Sequence, residues 1–453
     1  TDTDTDTSWL RSYEDVVFRA THNSYSGGDR GGIRSQLDSG IRGLELDFHD
    51  DDFTDLGDYQ IGHSYPGSDV DSGSENPGEL LGDWLGAISD WSRENPEHAP
   101  ITLVLDIKDD LTDNDSHSSG NLAALNEVLD GHLGDQLYVP EDLTLPWPSL
   151  HDLRGKVVAV LSGHAGTRLA YLRDPGSDPA IAINDSGQII EVHKSPTTDT
   201  LWYWTGQLQS DGTIEWARHG RYDTGKSPSV AIDNDGWIVE VHKSQTRDAL
   251  FYRVGHMDSD LEVEWGDSHE YDSGIDPTIR FDSLDDTALT ELHTSQSDWS
   301  QNWTWDVQLD RARWELQLSD NDRTDRPLWG RDSASSDSGE VRVWAGSDAS
   351  GGSDTLQTAI DGGSPQRIRY EQLAFMEIQA FDSDQLLQDS ARFYAVGSGS
   401  ASSASGWADE GWITRVWGYS DSDSSHPIPA FPATDTPDED WYQELCEDHE
   451  AVE

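Results

Sequence analysis

Val16-Val17-Phe18-Arg19-Ala20-Thr21-His22-Asn23-Ser24-Tyr25 is an apolar run that breaks into polar residues. After a short helical pattern near 33–39, Gly43-Leu44-Glu45-Leu46-Asp47-Phe48 does the same with its charges inside the run. A β run, a helical pattern and a second β run form the unit from which parallel sheets are built. The unit recurs. Tyr59-Gln60-Ile61-Gly62 precedes a helical pattern near 80–93, and Ile101-Thr102-Leu103-Val104-Leu105-Asp106 precedes one near 122–133. Lys156-Val157-Val158-Ala159-Val160-Leu161 makes a fifth strand. Far downstream, Val341-Arg342-Val343-Trp344, Phe375-Met376-Glu377-Ile378-Gln379 and Ile413-Thr414-Arg415-Val416-Trp417 add three more. Eight strands alternating with helices predict an α/β fold of the TIM-type (β/α) barrel. Gly397–Gly406, rich in Ser, Gly and Ala, reads as a flexible loop.

Between these halves the pattern changes to internal repeats. Asp178-Pro179-Ala180-Ile181-Ala182-Ile183 recurs as Ser227-Pro228-Ser229-Val230-Ala231-Ile232 and, degraded, as Asp276-Pro277-Thr278-Ile279-Arg280-Phe281, with the prolines 49 residues apart both times. Each copy continues through a turn into Glu191-Val192-His193, Glu240-Val241-His242 or Glu291-Leu292-His293, and then into an aromatic strand. Alternation with regular turn signals predicts about four antiparallel strands per copy, a blade-like unit. The expected organisation is a first barrel half at 8–173, an all-β insertion of three repeats of about 49 residues at 174–325, and a second barrel half at 326–445. The insertion follows strand five. His193, His242 and His293 are expected to serve packing within the blades.

Composition bounds the function. The 453 residues carry 88 acidic and 29 basic side chains, a formal charge of −59, so nucleic acid is excluded as a partner for want of a basic surface. Nineteen Trp, 14 Tyr and 9 Phe argue against disorder. No stretch reaches the roughly 18 apolar residues of a membrane helix. Asp outnumbers Glu, and Lys occurs only at 108, 156, 194, 226 and 243. This profile resembles proteins of extreme halophiles, whose carboxylate shells are screened by molar salt. Cys446 stands alone, so neither a disulfide framework nor a multi-cysteine metal site is available. The polar Thr1-Asp2-Thr3-Asp4-Thr5-Asp6-Thr7 reads as a spacer left after a signal was removed, giving an extracellular or cell-surface location as the expectation.

A barrel carries its working residues at the carboxyl ends of its strands. Strand one runs into Thr21-His22-Asn23, and strand two carries Glu45 and Asp47 two residues apart, hence on one face. Strand three runs into His63-Ser64, and strand four ends at Asp106 with Lys108 just beyond. Polar and charged residues thus stand at just those strand ends.

This constellation resembles the calcium-dependent branch of the phosphatidylinositol-specific phospholipase C superfamily, and Phe431-Pro432-Ala433-Thr434-Asp435-Thr436-Pro437 with Trp441-Tyr442 also looks like its bacterial relatives. By that resemblance His22 and His63 are the catalytic histidines, and Asn23, Glu45, Asp47 and Asp106 are the calcium ligands. Asp106 stands where eukaryotic members commonly have Glu. The resemblance implies attack by a neighbouring hydroxyl to give a cyclic phosphate, with His22 stabilising the phosphoryl group, His63 as general acid, and Glu45 or Asp106 as base. Lys108 is a candidate phosphate contact. The lysines that grip ring phosphates in eukaryotic relatives are missing from Val160-Leu161-Ser162-Gly163, which favours a plain inositol phospholipid or another simple phosphodiester. Two other readings stand beside this one. One is a glycerophosphodiester phosphodiesterase attacking with water. The other is a surface glycan-binding protein whose barrel is inactive and whose inserted module does the binding.

Overall fold

The computed structural model describes residues 8–71, 73, 77–114, 116–346 and 354–452. They fall into two compact units, one drawn from residues up to 114, 118–172 and 372 onward, the other from 116–117 and 173–371.

In the first unit eight parallel strands close into a ring. They are Ala20–Thr21, Gly43–His49, Ile101–Ile107, Val157–Gly163, Phe375–Gln379, Phe393–Gly397, Ile413–Tyr419 and Phe431–Thr434. Ala20 closes the ring by pairing with Gly43 on one side and Ala433 on the other. Gly43–His49 is buried throughout, and its period of two separates Leu44, Leu46 and Phe48 from Glu45, Asp47 and His49. Helix Leu81–Glu94 buries Leu81, Trp84, Leu85, Ile88 and Trp91, an apolar stripe at helical spacing. Helix Leu122–Leu133 starts where the Asn121 side chain accepts from the backbone N–H groups of Ala123 and Ala124. Phe18 and Phe431 stack at 4.9 Å within a core cluster that also holds Tyr13, Trp147, Phe375 and Phe393.

The β/α barrel is therefore present, with a different choice of strands. Gln60–Ile61 pairs antiparallel with Phe48 and His49 and lies outside the parallel ring. Of the run 16–20, only Ala20 enters a strand. The ring takes Phe393–Gly397 and Phe431–Thr434 instead. Val157–Gly163 is fifth in chain order and fourth in the parallel ring. The loop expected at 397–406 ends a strand and then forms helix Ala401–Asp409, whose Ala401 and Ala404 are buried. Small side chains let that helix lie close to its neighbours, which composition alone reads as flexibility.

The second unit consists of four antiparallel sheets, not three. The first three begin at Ser177–Ile183, Lys226–Ile232 and Ile275–Phe281. In each, the residue before the repeat proline has a positive φ (51°, 52° and 51°), and the register shifts beside it. The fourth sheet is made of Ser333–Ser336, Gly339–Gly346, Thr355–Ile360 and Gln366–Arg367. Val341–Trp344, expected as a barrel strand, belongs to this sheet and pairs antiparallel with residues 357–360. Its alternation is that of a strand with one buried face, and without the Pro and His landmarks nothing in it announces a fourth copy. The opening strands of the first three sheets and residues 329–335 line a cavity of about 480 Å³.

Candidate active site

The site is set by register. Asp47 lies directly opposite Asp106 on adjacent parallel strands, near the carboxyl ends of both. Glu45 sits one inward position earlier on the same strand. Carboxylate oxygens of Glu45, Asp47 and Asp106 all lie within 4.8 Å of one another. Three like charges in a buried place repel, so each needs a partner.

Glu45 is held by Arg415, whose Nη1 donates to Oε1 at 2.8 Å, while the Asn23 backbone N–H donates to Oε2 at 3.1 Å. Asn23 reaches that position with a left-handed φ of 46°. Arg415 also makes a two-point pair with Glu377, through Nε at 2.8 Å and Nη2 at 2.7 Å. Burial alone would raise the Glu45 carboxyl, but the Arg415 guanidinium and His22 bring it below the ordinary range.

Asp47 Oδ2 accepts from Lys108 Nζ at 2.7 Å, from the Tyr25 hydroxyl at 2.9 Å and from His63 Nδ1 at 2.9 Å. Its Oδ1 is buried with no hydrogen-bond partner. Burial, then Glu45, raises its carboxyl. Lys108 also donates to Asp106 Oδ2 at 2.6 Å. Burial, then Asp47, still pushes Asp106 up to about 6.

His22 follows strand Ala20–Thr21 directly and donates from Nδ1 to Asp435 Oδ1 at 2.9 Å, while its Nε2 lies 3.9 Å from Glu45 Oε2. Arg30 holds both partners, pairing with the Asp435 carboxylate and donating to the His22 carbonyl at 2.6 Å. Burial works against the charged imidazole, but Asp435 and Glu45 outweigh it and raise the pKa above 6.5. The ring stacks on Trp417 at 5.9 Å. His63 is 44% exposed, and its bond to Asp47 leaves Nε2 as the nitrogen turned to other work.

The structure thus links every residue singled out in the sequence. His22 and Asn23 meet Glu45, while His63 and Lys108 meet Asp47, and Lys108 ties in Asp106. Lys108 is committed to two carboxylates, a different place from the phosphate contact expected of it. Sequence reasoning missed Asp435, Arg30, Tyr25, Arg415 and Glu377. The last two carried a readable signal, since a charge in the middle of an apolar barrel strand is the same mark that singled out Glu45. Oxygen-only donors, with one buried oxygen lacking a partner, fit a hard divalent cation held by Asn23, Glu45, Asp47 and Asp106.

No family model matches the chain, and no curated protein does. Among solved structures it is similar to the calcium-dependent phosphoinositol-specific phospholipase C of a Pseudomonas species, at 27% identity and a TM-score of 0.31, over 36% of this chain and 62% of that one. A myoinositol complex of that enzyme gives 29% identity and a TM-score of 0.30, over 34% and 59%. The calcium-dependent phosphatidylinositol-specific phospholipase C of Streptomyces antibioticus gives 25% and 0.29, over 35% and 55%. This chain therefore covers about three fifths of the length of these structures, and its similarity is to calcium-dependent phospholipases C over about a third of its own length.

Proposed function

We propose that the barrel is a phosphodiesterase of the phospholipase C type, acting on an inositol phospholipid or a similar small phosphodiester with Ca²⁺ as cofactor. One observation carries the reading. Two histidines flank one cluster of three carboxylates, Glu45 and Asp47 buried and Asp106 half-buried, with His63 bonded to Asp47 and His22 poised beside Glu45. A phosphodiester anion repels nucleophiles, and Ca²⁺ held by Asn23, Glu45, Asp47 and Asp106 would supply positive charge to its non-bridging oxygen.

The chain's own residues do the rest. His22, whose charged form Asp435 favours, donates to a phosphoryl oxygen as charge builds on phosphorus. The attacking hydroxyl of the substrate gives up its proton, and Glu45 or Asp106 is the carboxylate placed to take it. As the new P–O bond forms and the bond to the leaving alkoxide breaks, His63 delivers a proton from Nε2 to that alkoxide. Asp47 fixes the His63 tautomer that makes this possible.

The test is turnover of phosphatidylinositol vesicles in concentrated salt, followed by phosphorus NMR. Expected are a cyclic inositol phosphate, loss of activity with a calcium chelator, and a fall of about 10²- to 10⁴-fold in His22→Ala or His63→Ala. A first product without the ring would point to attack by water. Absence of turnover, or turnover indifferent to both variants, would remove the proposal.

A further inference from the structure

The second unit repeats one histidine arrangement in its first three sheets. In each of the first three sheets a histidine on the second strand donates from Nδ1 to the glutamate two residues before it, His193 to Glu191 at 2.9 Å, His242 to Glu240 at 2.9 Å and His293 to Glu291 at 3.0 Å. In each, Nε2 faces an aspartate, namely Asp174, Asp223 or Asp272. Three copies of one arrangement allow its departures to be located.

The departure lies in what else holds the aspartate. In the second repeat a guanidinium does so, Arg253 Nε donating to Asp223 Oδ2 at 2.7 Å, and His242 Nε2 stands off at 3.9 Å. In the third, the amide of Asn321 and the indole of Trp305 donate to Asp272 Oδ2 at 3.2 and 2.8 Å, with His293 at 3.7 Å. In the first, Trp204 donates at 2.6 Å and the remaining place is taken by a second imidazole. His219 Nε2 lies 3.2 Å from Asp174 Oδ2, and His193 Nε2 lies 3.5 Å from the same oxygen. The two rings are parallel within 4°, with centroids 6.1 Å apart.

We propose that Asp174, His193 and His219 form a binding site for one divalent transition-metal ion of the zinc class. Two imidazole nitrogens and one carboxylate oxygen within 4.8 Å of one another match the donor types and count that zinc takes, leaving a fourth place for water. Nitrogen donors set this site apart from the oxygen-only cluster of the barrel, which suits a hard cation. The outer partners fit as well. A metal-ligating histidine hands its other nitrogen to a carboxylate or similar group, and here His193 Nδ1 goes to Glu191 while His219 Nδ1 lies 3.0 Å from the Tyr370 hydroxyl. Both rings thus have Nδ1 committed and Nε2 turned to Asp174. Asp174 and His219 keep 13% and 15% of their side chains exposed, so two of the three ligands reach the surface of the unit.

Cobalt(II) added to the full chain, first stripped with a chelator, reports the site through visible absorption, and zinc displaces it. One equivalent is expected to give an intense tetrahedral-type band. His219→Asn copies the amide found in the third repeat and is expected to abolish that equivalent, with the metal-free unfolding midpoint showing that the variant folds. His242→Ala, in the second repeat, is expected to leave the band in place. Should His219→Asn fail to fold, Glu191→Gln keeps all three ligands and is expected to weaken binding by about 10- to 100-fold. A chain without such a band, a band that survives His219→Asn, or affinity unchanged in Glu191→Gln would each overturn the site.

Discussion

At the scale of single residues, the barrel site is governed by which charges are compensated. His22 has its pKa raised because Asp435 and Glu45 together exceed the effect of burial. Asp435→Asn removes the first of these partners, so burial gains weight and the imidazole titrates at lower pH. Proton NMR of the His22 ring across pH 5 to 9 is expected to show the midpoint moving down, and a midpoint that stays or rises would contradict this account. Arg415 makes the complementary case. Its guanidinium is the shared counter-charge of Glu45 and Glu377, all three buried. Arg415→Met strands two carboxylates in a medium of low polarity, a change worth about 3–5 kcal/mol. Denaturant unfolding is expected to show that loss, together with a raised Glu45 pKa. Double replacement with Glu45→Gln and Glu377→Gln is expected to recover part of it. The sequence showed Glu45 but not its partner, because Arg415 is 370 positions away and only ring closure brings the two together.

At the scale of elements, the Glu–His–Asp arrangement of the first two repeats is expected to make the second unit sensitive to pH. His193 and His242 are raised above 6.5, burial being outweighed first by Glu191 and by Glu240 respectively. A group that binds its proton more tightly when folded stabilises the fold below its unfolded pKa, and that stabilisation is lost as pH climbs through the folded value. The unfolding midpoint is therefore expected to fall from about pH 6.5 upward. In the His193→Gln, His242→Gln double variant the midpoint over the same window is expected to be flatter. A wild-type midpoint that rises with pH there would refute the sign. These elements were legible because Glu-x-His and the proline kept their spacing through three copies. The fourth sheet was not, since Gly339–Gly346 has neither mark. In the barrel, Phe431–Thr434 was hidden by Pro432, a poor strand former. A strand tolerates such a residue where an N–H would go unpaired. Gln60–Ile61 misled in the other direction, being extended and partly apolar, yet only two residues long and antiparallel to its neighbour.

At the scale of the whole molecule, the formal charge of −59 on 453 residues sets a condition on everything above. Self-repulsion among surface carboxylates opposes the folded state and is largest when the Debye length, about 10 Å at 0.1 M salt, spans neighbouring charges. At about 1 M the length is near 3 Å and most of that repulsion is gone. The buried pairs respond differently. Arg415 with Glu45 and Glu377, or Arg168 with Asp382, are shielded from solvent ions and lose little on adding salt. Added KCl should thus remove a destabilising effect without removing the stabilising pairs, and the thermal midpoint is expected to rise with salt. Two mechanisms could give such a rise, and its shape separates them. Screening saturates once the Debye length falls below the spacing of surface charges, so most of the gain comes within the first molar. Exclusion of salt from apolar surface instead grows steadily with concentration. A plateau is expected in KCl, and lowering the pH to protonate surface carboxylates should shrink the gain. A midpoint indifferent to salt, or a straight rise with no plateau, would show that the acidic surface does not control stability.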